Sequence, residues 1–70
     1  MNKKQVQDII SKYINFEIST PLYDSRRLNE SEIEFVSEGL LMVKGKMNDP
    51  DVFIQTKDIK IIRGIGKNEY

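Results

Sequence analysis

Val6, Ile9, Ile10 and Tyr13 stand at i, i+3, i+4 and i+7, with Ile14 beside them. Lys3, Lys4, Gln7, Asp8, Ser11 and Lys12 fill the other side of the same cycle. That spacing predicts an amphipathic helix over residues 3–14, N-capped by Asn2 and ending near Asn15. At Phe16 the period changes from 3.6 to two. Phe16-Glu17-Ile18-Ser19-Thr20 alternates apolar with polar and is stopped by Pro21, which predicts a strand over 16–20. Residues 21–29 follow neither period and read mostly as an ordered loop.

Residues 30–38 fit two patterns. As a strand, Ile33 and Phe35 point one way and Glu30, Glu32 and Glu34 the other. As a helix, Asn29 is the N-cap, Glu32 holds the capping-box position, and Gly39 closes the end. The strand reading, over 32–37, is favoured because Ile, Phe and Val suit a pleated surface and Glu38-Gly39 makes a compact turn. Further strands are expected over 40–46, 52–56 and 59–63, with a turn at Asn48-Asp49-Pro50-Asp51. Gly64-Ile65-Gly66 reads as glycines that let the last strand turn away, and Lys67–Tyr70 as a frayed end.

The expected fold is α+β. One domain over 1–70 packs an N-terminal helix on a four- to five-stranded antiparallel sheet, either open or rolled into a small barrel. Its expected core is Val6, Ile9, Ile10, Tyr13, Phe16, Ile18, Ile33, Phe35, Leu41, Val43, Ile54, Ile59 and Ile61. Gly39 to Ile62 carries two glycines flanking a strand, Asp51 ahead of Val52-Phe53-Ile54, and then Asp58-Ile59 and Ile62. In outline this stretch is similar to Sm-like and other small SH3-like barrels. It departs from them in the wider Gly39–Gly45 spacing and in lying about one strand short after Ile54. The resemblance is one of architecture and implies no particular function.

Composition narrows the chemistry. There is no His, no Cys and no Trp, so disulfides, His-based acid–base catalysis and the usual zinc ligand sets are excluded. Ser11, Ser19, Ser25, Ser31 and Ser37 have no His to act as base, and an adjacent pair such as Ser11-Lys12 does not face itself on a helix. The expectation is a non-enzyme without cofactor or metal. Gly64-Ile65-Gly66-Lys67 fails as a phosphate loop, because its glycines are two apart rather than five and residue 68 is Asn. Asn48, Asp49 and Asp51 fail as a calcium loop because position 53 is Phe.

Eleven basic and eleven acidic residues cancel, and neither half of the chain departs from that balance by more than one charge. A nucleic-acid-binding domain usually carries a basic excess. No segment approaches the roughly 18 apolar residues of a membrane span, and Met1-Asn2-Lys3-Lys4 does not lead into a signal sequence. A cytoplasmic protein without membrane contact is expected. Ten isoleucines and no alanine suggest an AT-rich bacterial or phage gene. At 70 residues the core is marginal, so self-association, as a homo-oligomer, is one way to gain stability.

The preferred contact segment is Leu22-Tyr23-Asp24-Ser25-Arg26-Arg27-Leu28. Tyr23, Arg26 and Arg27 are of the residue types most enriched at binding hot spots, and with Leu22 they lie in an irregular stretch. A second candidate is an acidic face of Glu30, Glu32 and Glu34, extended by Asp49 and Asp51, that imitates a nucleic-acid backbone. The plain alternative for it is a solvated strand face that blunts an edge. These features favour a small protein-binding module of inhibitor or adaptor type, with another protein as partner. The alternative is an oligomeric small-barrel binder of RNA or single-stranded DNA, with Arg26, Arg27, Lys57, Lys60, Arg63 and Lys67 on phosphates.

Overall fold

A computed structural model describes residues 1–68. The chain opens with α1 (Lys3–Ile10). Its capping box is complete: Gln5 N–H donates to Asn2 Oδ1 at 2.8 Å and Asn2 N–H to Gln5 Oε1 at 2.9 Å. Val6 and Ile10 are its buried residues. The helix is shorter than the expected 3–14 span. It ends at Ser11, whose Oγ donates to the Asp8 carbonyl at 3.1 Å, and Tyr13 and Ile14 already belong to β1 (Tyr13–Thr20). Tyr13 satisfied the helical period, but pairing with a partner strand along its whole length outweighs one more turn of an otherwise marginal helix.

The remaining strands are β2 (Tyr23–Asp24), β3 (Ile33–Ser37), β4 (Leu40–Val43), β5 (Val52–Gln55) and β6 (Ile61–Lys67). Among the described residues they form two three-stranded antiparallel sheets, ordered β2-β1-β6 and β3-β4-β5, and no closed barrel. The single four- to five-stranded sheet is thereby corrected. A one-turn 3₁₀ helix over Glu30–Glu32 breaks the path between the sheets. Asn29 and Glu32 do form the capping box there, with Asn29 N–H on Glu32 Oε1 at 3.1 Å and Ser31 N–H on Asn29 Oδ1 at 2.9 Å. Both readings of residues 30–38 thus hold over part of their length: the cap starts a helix, and the β-branched and aromatic residues after it turn the chain into β3.

Strand β4 stops at Val43 rather than at Lys46. Lys44 N–H still bonds the Glu32 carbonyl at 2.8 Å in the β3–β4 register, but Gly45 N–H goes to Asp51 Oδ1 at 2.8 Å, which draws the chain out of the ladder. A Cβ on Gly45 would run into the Asp49 and Pro50 carbonyl oxygens, so this loop closes tightly on itself.

The last strand differs most. A 3₁₀ turn over Thr56–Asp58 and the bond from Lys60 N–H to the Ser19 carbonyl at 2.9 Å delay β6 and change its phase. Ile62 therefore pairs with Ile18 and packs on the core, while Ile61, expected inside, is 55% exposed. The strand does not turn away at its glycines but continues through Gly64-Ile65-Gly66 to Lys67, opposite Tyr13. Gly64 is needed there because a Cβ would run into the Tyr13 ring. Asn68 is likewise held, donating from Nδ2 to the Ser11 and Tyr13 carbonyls at 3.1 and 3.0 Å. Of the expected frayed end, Lys67 and Asn68 are ordered by these bonds, and positions 69 and 70 lie outside the described residues.

The core is Val6, Ile10, Phe16, Ile18, Leu28, Ile33, Leu41, Val43, Ile54 and Ile59. Leu28 is the unexpected member. It exchanges both backbone hydrogen bonds with Phe16 at 2.8 and 2.9 Å, and its side chain is fully buried. Ile9, Tyr13 and Phe35 are half-buried.

Candidate docking groove

The segment picked out for contact is built as a hairpin and a brace. Thr20 Oγ1 accepts from Leu22 N–H and donates to the Tyr23 carbonyl, both at 3.3 Å, fixing the Pro21-Leu22 turn between β1 and β2. That turn directs Leu22 fully outward, 98% exposed. Tyr23, two-faced by nature, rests half-buried against the core. Ser25 extends the ladder with its side chain: Oγ accepts from Ile18 N–H and donates to the Arg26 carbonyl, both at 2.8 Å.

Arg26 belongs to the brace. Its Nη2 donates to Glu32 Oε2 at 2.6 Å and to the Lys44 carbonyl at 3.1 Å, joining the 3₁₀ turn to the loop after β4. Its buried Nε has no hydrogen-bond partner among the described residues. The Arg26 hydrogen bond holds the Glu32 carboxyl below its ordinary pKa; burial opposes this, and the Asn29 N–H and the charges of Arg26 and Lys46 add to it. Arg27 is exposed and forms no ion pair among the described residues.

Glu30, Glu32 and Glu34 do not form the expected row. The capping box folds Glu30 and Glu32 into the 3₁₀ turn and leaves Glu34 in β3, so the period of two is absent. Glu32 serves Arg26. Glu30 and Glu34 instead border a hollow of about 290 Å³ between α1 and β3, floored by Ile10, Ile33 and Phe35. Of the cations proposed for phosphate contact, Arg26 is paired with Glu32, and Arg63 lies 3.4 Å from Glu17.

The larger depression lies between β2 and β5, the terminal strands of the two sheets. It encloses about 390 Å³ and is lined by Thr20–Tyr23, Val52–Gln55 and Asp58. Leu22 and the 58%-exposed Phe53 are the exposed large hydrophobic side chains lining it. Tyr23 and Val52 also line an adjoining hollow of about 210 Å³ that reaches Arg26, Gly45 and Pro50. Leu22 and Tyr23 thus meet at this groove, Arg26 borders its neighbour, and Arg27 lines neither.

Phe53 and Asp58 are groove residues that sequence reasoning passed over. The signal for Phe53 was available: in Val52-Phe53-Ile54-Gln55 a buried Ile54 obliges Phe53 to face outward. Asp58 joins only through the 3₁₀ turn. No helix of the described residues is long and apolar enough to cross a membrane. No family model, curated protein or solved structure matches the chain.

Proposed function

We propose that this chain is a non-catalytic protein-binding module of inhibitor or adaptor type that acts by occupying a partner protein's surface through the β2–β5 groove. The observation behind this reading is the pairing of Leu22 with Phe53 on a groove backed by Tyr23, Val52 and Ile54. Burying a side chain such as Leu or Phe is worth about 1.5–3 kcal/mol, and the free chain leaves most of that gain unused at both positions. The formal charge balance of eleven basic and eleven acidic residues favours a protein partner over a nucleic acid.

Affinity capture from the source cell, with and without nuclease, tests the reading. A protein should be retained after nuclease and moderate salt by the wild-type chain and lost by a Leu22→Asp/Phe53→Asp variant. Recovery of nucleic acid, or a protein retained equally by the variant, overturns it.

A further inference from the structure

The hydrogen-bond phase of β5 suggests how the groove would be filled. Thr56 N–H donates to the Gly39 carbonyl at 3.0 Å, extending the β4–β5 register in which Leu41 faces Ile54 and Val43 faces Val52. Hydrogen-bonded and non-hydrogen-bonded pairs alternate in an antiparallel ladder. Ile54 and Val52 therefore bond to β4, and the N–H and C=O of Phe53, with the N–H of Gln55, lie on the outer edge. No strand pairs with that edge, because β5 ends its sheet. Asp58 is the sole charged side chain lining the groove, and it has no ion-pair partner among the described residues.

From this geometry, and resting on the docking reading above, we infer that the groove takes an extended, basic partner segment that adds a strand to the outer edge of β5. Main-chain bonds to Phe53 supply the register, an apolar side chain settles between Leu22 and Phe53, and a Lys or Arg faces Asp58. A cation is favoured because the groove offers an exposed carboxylate and no positive charge of its own.

The test is selection of 12-residue peptides from a random displayed library against the intact chain, followed by binding of the synthetic winners. Winners should alternate apolar residues with Lys or Arg, and Asp58→Asn should weaken them about threefold, an effect that high salt abolishes. N-methylation of alternate peptide amides should weaken binding by roughly tenfold or more while leaving every side chain in place. Phe53→Pro should bind worse than Phe53→Ala, since proline additionally removes the outward N–H and is tolerated where that group faces solvent.

Winners that bind equally well when N-methylated would overturn strand addition and leave the docking groove standing. Winners without basic residues, or no enrichment at all, would also overturn it. Concentration-dependent self-association abolished by Phe53→Pro would assign the edge to a second copy of the chain and overturn the basic partner. Failure of the docking reading is distinguished by a cellular protein partner that ignores Leu22 and Phe53.

Discussion

Leu22 and Leu28 lie six residues apart in one irregular segment and should respond oppositely to truncation. Leu28 is fully buried, among Phe16, Ile18 and the rest of the core, and its backbone is bonded in both directions to Phe16. Leu28→Ala removes a buried side chain while the backbone bonds hold the surrounding chain in place, so the cavity cannot collapse freely. Leu→Ala changes in cores cost about 2–5 kcal/mol, and this site belongs near the middle of that range, about 3–4 kcal/mol. A domain of this size has about 4–10 kcal/mol of stability in total, so the variant should lose a large share of it. Leu22→Ala exposes nothing new and should stay within about 0.5 kcal/mol of wild type. Urea unfolding followed by far-ultraviolet circular dichroism, with the slopes compared as well as the midpoints, measures both. A Leu28→Ala cost below about 1 kcal/mol, or equal costs for the two variants, would refute the packing of this segment.

Acid should weaken the brace. Glu32 has its pKa lowered in the folded state, so in acid the unfolded chain binds the proton more readily. The stabilisation is complete above the ordinary carboxylate pKa and is lost as pH falls through the lower, folded value. Wild-type stability should therefore fall more steeply on acidification than that of Glu32→Gln; parallel pH profiles would contradict this. Gly45→Ala should cost about 1–3 kcal/mol, because a Cβ meets backbone carbonyls that cannot swing aside, whereas Gly39→Ala meets nothing and should be neutral or stabilising. Thermal unfolding of the two variants side by side checks that contrast.

Local chemistry made part of this fold legible. The start of α1, the alternation in β1 and the Asn29–Glu32 box are written in neighbouring residues, and the structure realises each of them. Phase and partnership were harder to read. Ile59-Lys60-Ile61-Ile62 contains apolar residues on both parities, and only the turn at Thr56–Asp58, together with pairing to β1, makes Ile62 rather than Ile61 the inward residue. Leu28 gave no periodic signal because it enters the core as a single bridge to Phe16 rather than within a strand. The residues of the segment expected to make contact divide by their intramolecular partners. Arg26 is drawn inward by Glu32, and Leu22 is held outward by the Thr20 turn. The groove has a second wall, β5, that lies about thirty residues away in sequence, and no local pattern joins the two.

The most direct test of the groove as a docking surface is the affinity of the captured partner for wild-type chain and for Leu22→Asp/Phe53→Asp, measured by calorimetry at matched folded concentration. Leu22 is 98% and Phe53 58% exposed, so the variant should remain folded while losing roughly 100-fold or more in affinity, the loss of two apolar anchors. An unchanged dissociation constant in a fully folded variant would contradict it.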